Sequence, residues 1–134
     1  MRNWSRSEEH TGEWKVRVRA DSLSALFAEV ARVVAGAAGP ARGPSGDWEP
    51  VALGARDAPA LLVAWANELL GRGEVRRRAY RDVRRLTVAN GRLTAQVRGP
   101  RVAEWRSPLK AATYHGLTLE RRGRRWAALL LFDV

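Results

Sequence analysis

The chain has 134 residues, no cysteine, 46% hydrophobic and 28% charged residues, and a formal net charge of +10. That length suits one domain, 1–134, with an adequate core, and the cysteine count excludes a disulfide framework and thiolate metal sites. No apolar run approaches the roughly 18 residues of a membrane span, and the start, Met1-Arg2-Asn3-Trp4, lacks the apolar segment of a secretory signal, so a cytoplasmic protein with no membrane partner is expected.

In chain order, residues 14–20 alternate strictly, with Trp14, Val16, Val18 and Ala20 opposite Lys15, Arg17 and Arg19. A period of two predicts a strand with one buried face. Asp21-Ser22 offers a helix cap, and Leu23, Leu26, Phe27, Val30 and Val34 share one helical face that should end near Gly36. The Gly- and Pro-rich stretch 36–46 reads as a loop. A strand over Trp48 to Ala55 follows, placed at a sheet edge by Pro50. Asp57 caps a second helix that tolerates Pro59 in its first turn. Leu61, Leu62, Trp65 and Leu69 form its apolar stripe, and Gly71 is expected to stop it.

The arginine-dense stretch from Glu74 to Leu86 is read as a strand or two bending near Asp82. Asn90-Gly91, between Leu86/Val88 and Leu93/Ala95/Val97, predicts a tight hairpin. Residues 99–109 form a loop, and two strands, 111–120 and 125–132, turn at Gly123. The last, Trp126 to Phe132, is continuously apolar, as a central strand covered on both faces would be. The fold class is therefore α+β: a largely antiparallel sheet of about six or seven strands, two helices packed on one face, and an open face carrying Arg17, Arg19 and Arg98.

Catalytic patterns are missing. There is no nucleophile elbow, no phosphate-cradling loop, and no metal spacing around His10 or His115. The chain ends instead with Asp133 after an apolar run and Val134 beside it, placing a side-chain and a terminal carboxylate together, and hard cations such as calcium take such oxygen ligands. Read locally, the same pair simply frays into water.

Four segments resemble the archease family. His10-Thr11-Gly12-Glu13 is similar to its N-terminal His-Thr-Ala-Asp motif, and Leu61 to Leu70 to its second helix. Lys110-Ala111-Ala112-Thr113-Tyr114-His115 is similar to its Lys-Ala-x-Thr-Tyr-His signature, and Trp126 to Val134 to its Phe-Asp-Val ending. The resemblance implies a non-enzymatic activator of an RtcB-type RNA ligase in tRNA splicing or RNA repair, promoting the ligase's guanylylation and multiple turnover. It also implies a divalent metal, calcium, held by Glu13, Asp133 and the Val134 carboxylate, and a functional surface of Lys110 with His115 and His10. Glu13 stands where the family has Asp, and Pro108-Leu109 where Glu-Ile is common. The alternative is a basic RNA-binding or RNA-chaperone module acting through its charged surface; against it, the tryptophans read as core residues rather than a stacking platform. A Glu13/Asp133 acid–base enzyme is a third reading.

Overall fold

The computed structural model describes residues 3–10 and 12–134, and the side chains of Glu9 and His10 fall outside that description. In order the elements are β1 (Trp4–His10), β2 (Glu13–Ala20), α1 (Leu23–Ala37), β3 (Ala41–Arg42), β4 (Glu49–Gly54), α2 (Ala58–Arg76), β5 (Asp82–Ala89), β6 (Arg92–Arg98), β7 (Arg101–Val102), β8 (Ala111–Arg122) and β9 (Arg125–Asp133). All strand pairs are antiparallel. They form a four-stranded sheet, β1-β2-β9-β8, a three-stranded sheet, β4-β6-β5, and the small pair β3-β7. The two larger sheets account for seven strands, and the helices pack between them: α1 against β2 and β5, α2 against β8 and β4.

Both helices start where side chains can satisfy free backbone N–H groups. The Ser22 hydroxyl accepts from the Ala25 amide at 3.0 Å, and the Asp57 carboxylate accepts from Ala60 at 2.9 Å, caps of the kind worth about 1 kcal/mol each. Asp21, the other capping candidate, instead accepts from the Arg125 guanidinium at 2.7 Å. The helices meet at Trp65, whose ring lies 6.4 Å from that of Phe27 and whose indole N–H donates to the Phe27 carbonyl at 2.8 Å. Val16, Val18 and Ala20 of β2, Leu130 and Phe132 of β9, and Leu93, Ala95 and Val97 of β6 complete this core. Among the described residues no helix is long and apolar enough to cross a membrane.

Several expectations need correcting. Gly71 does not end α2. The helix continues through Gly73 to Arg76, and Arg77 closes it in a left-handed conformation (φ 54°, ψ 49°) while the Arg78 amide bonds back to the Gly73 carbonyl at 3.2 Å, a Schellman-type ending. Glu74 to Arg76, read as strand, are therefore helical. β1 was not anticipated, because Ser5, Arg6, Ser7, Glu8 and Glu9 form no apolar face. The loops 36–46 and 99–109 each contain one strand of the β3-β7 pair. The Asn90-Gly91 turn forms as expected, both residues taking positive φ (51° and 72°).

β9 is central in its sheet; its inner face is closed, and its outer face is closed at Leu131 but not along its whole length. Ala128, Leu130 and Phe132 are buried, whereas Ala127 and Leu129 keep part of their surface on the outer face. That face carries Arg17 and Arg19; Arg98 belongs to the other sheet. Of the six tryptophans, only Trp65 is fully buried; Trp14 and Trp126 are partly buried against the main core and Trp105 against the smaller cluster of Ala35, Ala38, Ala79 and Val102, so the expectation that they are core residues fails for Trp4 and Trp48.

Candidate functional site at the meeting of the chain ends

β2 and β9 are more than 100 residues apart in sequence and adjacent in the sheet, with Glu13 directly opposite Asp133. Side chains at directly opposed positions leave the same face of the sheet, with Cβ atoms about 4.5–5.5 Å apart. On its other side Asp133 faces Ala111 of β8, and on the far side of Glu13 the backbone of β1 ends at His10. One row across the sheet therefore reads His10–Glu13–Asp133–Ala111. The His10 side chain lies outside the described residues.

Backbone hydrogen bonds close the row. The Lys110 amide donates to the Asp133 carbonyl at 2.8 Å, and the Val134 amide donates to the Gly12 carbonyl at 3.4 Å. Val134 is half-buried and packs on the core, so the last residue is held beside the start of β2. The Lys110 side chain is exposed next to this row. Asn67, on α2 beside its apolar stripe, sets the neighbouring register. Its side-chain oxygen accepts from the Ala112 amide at 2.7 Å, and its side-chain NH₂ donates to the Ala112 carbonyl at 3.1 Å. Asn67 thus fixes the segment from which Lys110 projects. Neither apolar periodicity nor capping chemistry marks Asn67 for this role in the sequence.

His115 is not brought into this row. It is exposed on β8, where the pairing with β9 slips between Thr113 and Thr118, and Gly116 turns with φ 65°. Tyr114 beside it is 59% exposed.

Two facing carboxylates repel, and among the described residues neither Glu13 nor Asp133 has an ion-pair partner. Among those residues no group of three His, Cys, Asp or Glu side chains is placed to hold a metal. The third oxygen donor that the resemblance implies beside Glu13 and Asp133 is the Val134 carboxylate. All three donors are oxygens, the set that calcium accepts in flexible geometry, and the longer Glu13 is compatible with that flexibility.

The Archease protein family (MTH1598/TM1083) is matched over residues 6–134. The chain belongs to this family. Two solved structures share its fold. One is protein 1598 of Methanobacterium thermoautotrophicum, with a TM-score of 0.76 and 17% identity over 97% of this chain and 98% of that one. The other is an archease of Thermotoga maritima described as a possible chaperone, with a TM-score of 0.68 and 20% identity over 100% of this chain and 98% of that one. No curated protein matches the sequence. The archease match takes in both strands of the acid row and the Lys110 segment.

Proposed function

We propose that this archease-family chain is a non-enzymatic activator of an RtcB-type RNA ligase, promoting the ligase's guanylylation and multiple turnover in tRNA splicing or RNA repair. The observation that carries the reading is the row in which Glu13 faces Asp133 while the Asp133 carbonyl accepts from Lys110. Among the residues that the family resemblance singles out, Glu13, Asp133, Val134 and the Lys110 backbone adjoin this row, which supports the reading.

Glu13, Asp133 and the Val134 carboxylate would hold a divalent cation, calcium. When bound, the cation supplies the positive charge that lets the facing carboxylates coexist. The remaining work belongs to the chain. Asp133 and Asn67 hold the Lys110–Ala112 backbone, Lys110 presents its ammonium group to the ligase, and the resemblance adds His115 and His10 as further functional residues. Activation then requires tighter binding to the guanylylation-competent ligase than to its stalled form, since only a difference in affinity shifts that equilibrium.

The test is multiple-turnover RNA joining by the same organism's ligase with GTP, with and without this protein. Wild type should raise turnover. Asp133→Ala and Lys110→Ala should remove most of the stimulation while remaining folded by circular dichroism. Full stimulation by Asp133→Ala would rule out the acid row as the working site. No stimulation by folded wild type, with the ligase itself active, would rule out the activator role.

A further inference from the structure

The β3-β7 pair places Arg42 directly opposite Arg101. Like charges at opposed positions repel, so this two-residue ladder forms against its own electrostatics. Arg77, the left-handed residue that closes α2, joins them around an open cleft of about 680 Å³ with Pro40 and Val102 in its wall. All three arginines are exposed. Among the described residues none of the three guanidinium groups has an ion pair or hydrogen bond; Arg77 alone has a ring partner, lying 6.0 Å from the Trp105 centroid. Glu104, the nearest acid after β7, is already engaged by Arg106 at 2.9 Å.

The positive field continues along the chain. Arg98 is three residues before Arg101, within about 10 Å even if fully extended. Arg98 and Arg84 both lie over the Trp48 ring, 4.1 and 4.3 Å from its centroid. Loss of water contact, followed by the charges of Arg85 and Arg98, holds the Arg84 guanidinium below its usual range. Acids sit among the outlying arginines of both regions, Asp82 pairing with Arg98 at 3.4 Å and, on the outer face of the four-stranded sheet, Glu120 with Arg122 at 2.9 Å, whereas Arg42, Arg77 and Arg101 have no such partner among the described residues.

We propose that Arg42, Arg77 and Arg101 form a binding site for the phosphodiester backbone of single-stranded RNA, which runs on toward Arg98, Arg84 and Trp48. Three unpaired guanidinium groups around a concave surface match consecutive phosphates, and Arg is suited to phosphate by its planar fork of donors. Guanidinium planes beside partly exposed indoles offer unpaired bases a place to stack, which a duplex cannot use. The apolar cleft wall provides no pattern of donors and acceptors for reading base edges, so binding is set by phosphate and not by sequence. The site is separate from the acid row and requires neither a metal nor the ligase.

The experiment is binding of a fluorescent 20-nucleotide single-stranded RNA to the full chain, without ligase, across a salt series. Arg42→Gln/Arg77→Gln/Arg101→Gln is compared with Arg6→Gln/Arg17→Gln/Arg19→Gln, which removes the same charge from the sheet face. The cleft variant should reduce the slope of log K against log salt by about 2 and weaken binding at least tenfold. It should melt no lower than wild type, because a repulsive pair has been removed. The sheet-face variant should weaken binding much less, and Asp133→Ala should bind RNA as wild type does. Equal weakening by both triple variants would overturn the proposal in favour of diffuse charge. So would absence of binding by wild type, or equal affinity for the matching duplex.

Discussion

Glu49, near the start of β4, ties three parts of the chain together with one carboxylate. It accepts from the Tyr80 hydroxyl at 2.7 Å, pairs with Arg76 at the end of α2, and lies 3.6 Å from Arg72 one turn earlier. Burial first, and the hydrogen bond to Glu49 next, push the Tyr80 hydroxyl up from 10.0 to about 12. The folded state therefore keeps a proton that the unfolded chain has released, so stability is full below about pH 10 and is lost as pH rises through about 12. In a Tyr114→Phe background, tyrosinate absorbance should rise only near pH 12. A rise complete by pH 10.5 would contradict the network, and Tyr80→Phe should flatten the alkaline loss of stability. Little of this was legible beforehand. Tyr80 lies in an arginine-dense stretch without periodicity, and its partner is 31 residues away. Asp133 was legible, because a carboxylate at the end of an apolar run is conspicuous; that Glu13 faces it came only through the family resemblance.

Where an element has a repeating apolar face, its position followed from that face. The stripes of α1 and α2 and the caps Ser22 and Asp57 lie where periodicity and capping chemistry put them. The end of α2 did not, because two glycines of opposite meaning share its last turns. Gly71 faces open space, whereas a Cβ on Gly73 would come within 2.9 Å of the Trp105 ring and 3.0 Å of the Arg78 carbonyl. Gly71→Ala should therefore stabilise the protein by about 0.5–1 kcal/mol through helix propensity. Gly73→Ala should destabilise it by about 1–3 kcal/mol by overpacking. Urea unfolding of the two variants measures both, and a stabilising Gly73→Ala would mean that Trp105 yields freely. The overrun of α2 arises from this division: one glycine is tolerated in the helix, and the other is needed so that Trp105 can approach. β1 and the β3-β7 pair escaped for a different reason. Their pairing is carried by backbone bonds between polar or very short segments, which leave no hydrophobic period.

At the scale of the whole molecule, like charges face each other in the acid row, which gives the proposed metal site a test of its own. Millimolar calcium should raise the melting temperature of wild type, by about 2.7 kcal/mol of stability at a hundredfold excess over Kd. Asp133→Asn should be up to about 1 kcal/mol more stable than wild type in chelator, since it relieves like-charge repulsion, and should no longer respond to calcium. A calcium response undiminished by Asp133→Asn would remove Asp133 from the ligand set. The division into α+β layers was readable from the order of the elements, but the split into two large sheets was not, because no strand's own sequence says which others share its sheet. The order β1-β2-β9-β8 also has a consequence for synthesis. β2 emerges early, yet the strand that pairs with its inner edge is translated some 120 residues later, Glu13 waiting for Asp133. At about 5–20 residues per second that is roughly 6–24 s. During that interval the nascent chain carries an open strand edge, Glu13 to Ala20, four of whose eight residues are Lys, Arg or Glu, and these charges keep it from pairing with a neighbour before its own partner is made.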